Sequence, residues 1–268
     1  VSQPQWVGGW WGGGARCVLA PNPGPMTLEG TNTWLLASPG SASAAVVDPG
    51  PADEGHLAAV VAAAAQVQAA VTVILLTHGH PDHAQGARRL AQMCRAPVRA
   101  LDPAQQFGSQ GLADGDVVAV ADLELRVIAT PGHTWDSLSF LLTGPGPGAA
   151  ALLTGDTVLG RGSTVIAHPD GRLREYLTSL QTLRACAVGH GVAAVLPGHG
   201  PVLTDPVAAI DGYLEHRRVR LEQVAAAVAG GARTAAEVVR AVYADVDPVL
   251  WPAATLSVEA HLDYLAGR

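Results

Sequence analysis

The densest chemistry in the chain lies in one short stretch, Thr77-His78-Gly79-His80-Pro81-Asp82-His83. Imidazole nitrogens and carboxylate oxygens are the donors that hold zinc and related divalent ions. Side chains two apart in an extended segment point the same way, so His78 and His80 can grip one ion. Asp82 and His83, past a turn, are free to face a second. A His-rich surface turn is the bland alternative. It is set aside because the cluster follows Val71-Thr-Val-Ile-Leu-Leu76, a short, continuous, β-branched run that reads as a buried strand. Pro81 then suits the first turn of a helix, having no N–H to lose.

The same arrangement recurs further on. Leu123–Ala129 empties into Thr130-Pro-Gly-His133-Thr134, Ala150–Leu153 into Thr154-Gly-Asp156, and Val192–Leu196 into Pro197-Gly-His199-Gly200. Strand ends thus supply His78, His80, Asp82, His83, His133, Asp156 and His199. Two zinc ions need about this many donors when one carboxylate bridges and hydroxide completes the shells.

The elements that must position these loops read as α/β. Residues 20–32 are loop chemistry, rich in Pro and Gly. Thr33–Ala37 and Ala44–Val47 form a strand pair ending in Asp48-Pro-Gly50, followed by a helix from Asp53 to Ala69. A second helix is expected from Asp82 to Arg95, and short strands at Val98–Ala100, Val117–Val120 and Leu138–Leu142. Leu173, Leu177, Leu180 and Leu183 recur at helical spacing, which predicts an amphipathic helix over 172–186. After Pro201 the pattern becomes helical: an apolar stripe from Ile210 to Val228, a capping box at Thr234 and Glu237, and a helix after Pro252. The expected division is therefore residues 1–205 as the chemical domain and 206–268 as a small helical, winged-helix-like module. His216, Arg217, Arg218 and Arg220 cluster on the first of these helices and read as a solvated face rather than an RNA groove.

The ordered set Thr-His-x-His-x-Asp-His, Pro-Gly-His-Thr, Thr-Gly-Asp and Pro-Gly-His-Gly resembles the metallo-β-lactamase superfamily. That resemblance implies an αββα sandwich and a dinuclear metal hydrolase, with His78, His80 and His133 on one ion. Asp82, His83 and His199 would hold the other, with Asp156 bridging, and Asp48 would support a ligand from behind. Zinc is the expected metal, with manganese or iron as alternatives. A metal-bridging hydroxide would be the nucleophile, Asp82 orienting it or passing its proton to the leaving group. A closer similarity is to the beta-lactamase-like protein 2 family, through Asn22–Asn32, Gly155–Gly160 with Gly162–Thr164, Pro197–Pro201 and Tyr213–Arg217. It covers the chain from about residue 16 to the end. It implies single-stranded RNA cleavage first; thioester or lactone hydrolysis comes second, on the acidic charge and the His/Asp set that resembles glyoxalase-II-type thioesterases. Thr31, Asn32, Ser163, Thr164 and His168 are the substrate-contact candidates. A metal-stabilised binding module without catalysis is the competing class. Asp156 stands where true β-lactamases of this fold commonly depart from the full His/Asp set, which counts against antibiotic hydrolysis.

Composition narrows the rest. The 268 residues are 49% hydrophobic with a mean hydropathy of +0.23, enough for a sizeable core. No apolar run reaches the ~18–20 residues of a membrane helix, and the first fourteen residues lack the basic start and apolar centre of a signal peptide. A soluble cytoplasmic protein is the expectation. Cys17, Cys94 and Cys186 form no C-x-x-C pair, which excludes a thiolate zinc finger and a disulfide framework. The net charge of −7 argues against a broad nucleic-acid surface, double-stranded DNA above all. All sixteen basic residues are arginine, so lysine chemistry is absent.

Overall fold

A computed structural model describes residues 5–267 apart from 13, 109 and 146–149. Residues 1–4, part of the segment read as lacking a leader, lie outside the described residues, as does 268. Two sheets face each other with helices on both outer surfaces. The first holds β1 (Gly9–Trp11), β2 (Ala15–Leu19), β3 (Asn32–Leu36), β4 (Ser43–Val47), β5 (Ala70–Leu75) and β6 (Val98–Arg99), in the same order in space as in sequence. The second holds β7 (Val117–Val120), β8 (Leu123–Ala129), β9 (Leu138–Thr143), β10 (Ala151–Gly155) and β11 (Ala194–Pro197), ordered β11-β10-β9-β8-β7. β4 and β5 run parallel, joined by α1 (Glu54–Gln66); β10 and β11 run parallel, joined by α4 (Leu173–His190).

Alternation along the strands explains why their sequences are apolar throughout. Trp34, Leu36, Val47 and Leu75 face Leu125, Phe140, Leu153 and Leu196 between the sheets. Their neighbours Leu35, Val46 and Ile74 point outward against Leu57 and Val60 of α1. Leu152 and Val195 likewise pack under Tyr176, Leu180 and Leu183 of α4. With both faces covered, a polar residue on either side would be buried without a partner.

The helix expected over 82–95 is divided into α2 (Pro81–Ala84) and α3 (Ala87–Cys94). The cause is Gly86. A Cβ there would sit 2.9 Å from Pro51 O and 3.0 Å from Gly50 O, because the loop after β4 crosses at that point. Strands β1 and β2 carry no expectation from the sequence; Arg16 interrupts the apolar run, and much of β2 is only partly buried.

After β11 the described residues are helical: α5 (Pro206–Ala229), α6 (Ala235–Val242) and α7 (Trp251–Leu265), with a short 3-10 turn at Pro248–Leu250. The capping box forms as expected, the Thr234 side chain accepting from the Glu237 N–H and Glu237 reaching back. The first half of α5 packs on α4 through Ile210 and Tyr213. Its far end joins Val238, Val239, Ala254 and Val258 in a separate small core through Val224. Among the described residues no helix is long and apolar enough to cross a membrane.

Candidate metal centre

The chain turns at the ends of β4, β5, β8, β10 and β11 along one edge of the sandwich, and the seven sequence-identified donors meet there. Leu138 N donates to Thr77 O at 2.7 Å, and Asn32 N to Gly198 O at 2.7 Å, tying the loops of the two sheets together. His78 Nε2 lies 3.0 Å from His80 Nδ1, which lies 3.1 Å from His133 Nε2. Beside this group, His83 Nε2 and His199 Nε2 are 3.2 Å apart, and Asp82 Oδ2 is 3.4 Å from the first and 3.2 Å from the second. Asp156 stands between the groups. Its Oδ1 is 3.4 Å from His83 Nε2, and its Oδ2 is 3.4 Å from His199 Nε2 and 3.7 Å from His133 Nε2.

The outer nitrogens decide what these contacts are. His133 Nδ1–H donates to Val165 O at 2.7 Å, so Nε2 carries a lone pair. The Thr77 hydroxyl donates to Asp48 Oδ2 at 2.7 Å and therefore accepts from His78 Nδ1 at 3.0 Å, leaving His78 Nε2 bare as well. Lone pairs that converge this closely repel unless an electrophile sits among them. Donors ~2.0–2.1 Å from a tetrahedral zinc lie ~3.3–3.4 Å apart, and the edges here run from 3.0 to 3.7 Å. Asp156 Oδ1 is buried without a hydrogen bond. Three donor sets within the cluster are each spaced to hold a metal ion: His78, His80 and His133; His78, His83 and Asp156; and Asp82, His83 and His199.

Supporting contacts hold the rings. Asp48 Oδ2 accepts from His83 Nδ1 at 2.9 Å, while its Oδ1 accepts from Thr77 N at 2.8 Å. Asp48 itself has φ of +52°, a strained conformation for a non-glycine residue that these bonds maintain. His199 Nδ1 donates to Gly30 O at 3.2 Å. Gly198 carries no side chain because a Cβ would lie 2.5 Å from Asp156 Oδ1 and 2.7 Å from His83 Cε1.

The charge states divide the two groups. Burial, reinforced by the charges of its neighbouring histidines, holds His78 well below the usual imidazole range. Burial takes His133 down to about 4. Burial also pulls on His83 and His199, but carboxylates outweigh it: Asp156 and Asp48 keep His83 well above its ordinary value, and Asp156 with Asp82 brings His199 up to about 9. Burial opposes ionisation of Asp156 and Asp82 in turn, and the same histidines overcome it, leaving Asp156 well below the usual range and Asp82 lowered to about 2.

A cavity of about 320 Å³ opens from His133 and Asp156. Met26, Leu28, Leu159 and Val165 wall it from the sandwich; Tyr243, Val246 and Leu250 wall it from the helical module. Ser163 and Thr164 line it, Thr164 also placing its hydroxyl 3.0 Å from His133 Nδ1. The other three substrate-contact candidates sit differently. Asn32 is fully buried, its amide donating to Pro197 O and Gly200 O and accepting from Trp6 and Cys17, so no atom is left for substrate. Thr31 is buried too, its hydroxyl donating to Asp82 Oδ2 at 3.3 Å. His168 is not among the cavity's lining residues.

The arginine cluster is a correction. Of its three arginines only Arg218 behaves as a solvated face, pairing with Glu215 and Glu222 in the open. Arg217 is 3% exposed, donates to Thr164 O and lies over the Tyr176 ring at 5.1 Å. Arg220 donates to Val242 O at 2.8 Å and lies 4.2 Å above Tyr243. Both line the cavity. Helical spacing does separate them: Arg217 and Arg220 continue the face of Ile210, Tyr213 and Val224 at three- and four-residue steps, and Arg218 lies off it.

An αββα sandwich with paired His/Asp donor groups at its strand ends defines a class of metal-dependent hydrolases. The chain belongs to the metallo-beta-lactamase superfamily, whose profile matches residues 26–199, and the beta-lactamase associated winged helix domain matches residues 234–267. It is 31% identical to a beta-lactamase-like protein 2 homolog of Drosophila melanogaster over 269 aligned positions, covering 92% of this chain and 86% of the relative. It is 30% identical to an atrochrysone carboxyl ACP thioesterase of Aspergillus fumigatus, covering 84% and 72%. A crystal structure of a metallo-beta-lactamase family protein from Thermus thermophilus superposes with a TM-score of 0.76 at 24% identity, over 95% of this chain and 93% of that one.

Proposed function

We propose that this superfamily hydrolase is a dinuclear zinc enzyme acting on the carbonyl of an ester or thioester with an apolar body. The observation that carries the reading is the cavity, which meets the donor cluster at His133 and Asp156 and is walled chiefly by aliphatic side chains. Sites of that character take compact apolar ligands fixed by a few polar groups, and a thioesterase among the relatives points the same way. Bound zinc would supply a water that ionises near pH 7 and a Lewis acid for the carbonyl oxygen.

The chain's own residues do the rest. His78, His80 and His133 would hold one ion and Asp82, His83 and His199 the other, with Asp156 spanning them. Asp82 is the more open carboxylate, 29% exposed in its side chain against 11% for Asp156. It takes up the proton released in the attack and returns it to the leaving group, while Thr31 fixes its Oδ2. Met26, Leu28 and Val246 exclude bulk water from the acyl portion.

Single-stranded RNA is the second reading, favoured by the arginines on the cavity wall. The deciding experiment compares zinc-loaded wild type and Asp156→Ala on the hexanoyl and adipoyl thioesters of N-acetylcysteamine and on end-labelled single-stranded RNA. Thioester turnover by wild type alone supports the first reading. RNA cleavage without thioester turnover replaces it with the second, and full activity in Asp156→Ala on either substrate removes the dinuclear mechanism.

A further inference from the structure

Charge within the cavity does not follow charge on the chain. The protein carries −7 overall, yet among the described residues Asp156 is the only acid lining the cavity, against Arg161, Arg217 and Arg220. Arg161 is balanced by Glu29 at 2.6 Å. Arg217 and Arg220 are not balanced: among the described residues no carboxylate lies within ion-pair distance of either, and Arg217 donates to Thr164 O and Arg220 to Val242 O, both backbone carbonyls. The arginines that do have carboxylates include the exposed Arg89, Arg184 and Arg218.

That distribution inverts what solvation favours. An exposed guanidinium needs no counter-ion, because water screens it. A buried one without a counter-ion is costly, and aromatic faces and single carbonyls recover only part of the loss. Arg217 is 3% exposed, and its Nε is buried with no partner at all. The pair is also close to the chemistry: Arg217 bonds Thr164 O, and the Thr164 hydroxyl is 3.0 Å from the donor histidine His133. Planar guanidinium groups are built to receive oxyanions through paired N–H donors.

We propose that Arg217 and Arg220 form an anion subsite inside the cavity, which receives a carboxylate or phosphate group carried on the apolar body of the substrate. The missing counter-ion of the arginine pair is then the substrate's own. Met26, Leu28, Val246 and Leu250 contact the body, and the scissile bond lies at the His133 and Asp156 end. The enzyme's substrates are amphiphilic acids masked as esters or thioesters, and neutral acyl chains of equal length are poor ones. This inference rests on the hydrolase reading for its scissile bond, but the subsite itself is a matter of binding.

The test uses zinc-loaded protein and two measurements. In the first, 4-nitrophenyl hexanoate is compared with its ω-carboxylated counterpart, 4-nitrophenyl hydrogen adipate, and with the ω-phosphorylated hexanoate ester. Wild type should favour at least one anionic ester by roughly tenfold or more in kcat/KM. The preference should shrink to near unity in Arg220→Gln and return in part in Arg220→Lys, which keeps the charge and loses the fork. Which of the two anions is favoured names its source.

In the second, calorimetry follows hexanoate, adipate and 6-phosphohexanoate binding to the same proteins. The terminal carboxylate common to all three cancels, so the comparison isolates the second anion. A wild-type gap that disappears in Arg220→Gln supports the subsite even if no ester is turned over, in which case only the hydrolase reading fails. Ester turnover with no charge preference, or a preference unchanged in Arg220→Gln, overturns the subsite and leaves the hydrolase reading standing. Displacement of 6-phosphohexanoate by a short single-stranded RNA that binds more tightly, and only with Arg220 intact, overturns the small-molecule form of the proposal.

Discussion

The strand-end loops and the helical module both build the cavity, but they do so in opposite ways. In the loops each functional side chain is of a type with few other uses, and each is held by a neighbour from a different element: His83 by Asp48, His133 by Val165, His199 by Gly30. In the module the functional side chains are arginines, the chain's sole basic type, and adjacent identical residues on α5 do unrelated things. Arg217 is buried against Tyr176 while Arg218 sits in solvent between two glutamates. Residue type carries the information in the first region. Surroundings carry it in the second.

The sharpest way to break that comparison is to attack the loops. Asp156→Ala should remove nearly all turnover, and metal content measured by atomic emission should fall from about two per chain toward one. His133→Ala should do likewise from the other group. Replacing a support should cost less: Asp48→Ala leaves His83 Nδ1 without its acceptor, and zinc affinity in a chelator competition should drop ~10–100-fold. If Asp48→Ala binds zinc normally, the strained backbone at that residue has no role in the centre.

Arg217→Met tests whether the module reaches into the loops. It strands Thr164 O in a buried position, a loss of about 1–3 kcal/mol that a denaturant titration can read. Because residues 164–165 also hold His133, zinc affinity should fall alongside stability. A destabilised variant with unchanged affinity would confine the module to forming a wall.

A smaller effect separates the regions by pH. Burial lowers His261 of α7 to about 4, its Nδ1 bonding Ser257 O at 2.6 Å. Its folded pKa lies below the unfolded value of ~6.5, so the unfolded chain binds the proton first. Its contribution to stability is therefore intact above pH ~6.5 and is lost as pH falls toward 4, by up to ~1.4 kcal/mol per pH unit. In His261→Gln the shift of the unfolding midpoint between pH 7 and pH 5 should shrink. Smallest of all is Arg218→Ala, whose exposed ion pairs should leave the melting temperature unmoved.

The sequence makes the donor set readable because four apolar runs each end in a His- or Asp-bearing loop, and few structures other than a metal cluster need that repetition. The sandwich follows from the same runs, their continuous hydrophobicity requiring cover on both faces. What stays hidden is anything decided by approach between distant segments. Gly86 breaks a helix because the loop at Gly50 and Pro51 crosses it, and no local propensity registers that contact. Asn32 looks like a ligand-facing amide in a polar loop, and only the fold reveals that Pro197 and Gly200 consume it. Arg217 falls on the buried face of α5 by spacing alone, but its partner Thr164, 53 residues away, does not show in the sequence.

Those two Asn32 bonds reach across 165 and 168 positions, and the loop they fasten brings His199 to the cluster. The donor set therefore cannot close until the ribosome has passed residue 200. Emerging chain can pair β1 to β6 in order, since each neighbours the last, but it offers only part of a metal pocket. A metal ion met at that stage would find His78, His80, Asp82 and His83 without His133, Asp156 or His199. The complete donor set thus exists only once the last strand of the second sheet has been made.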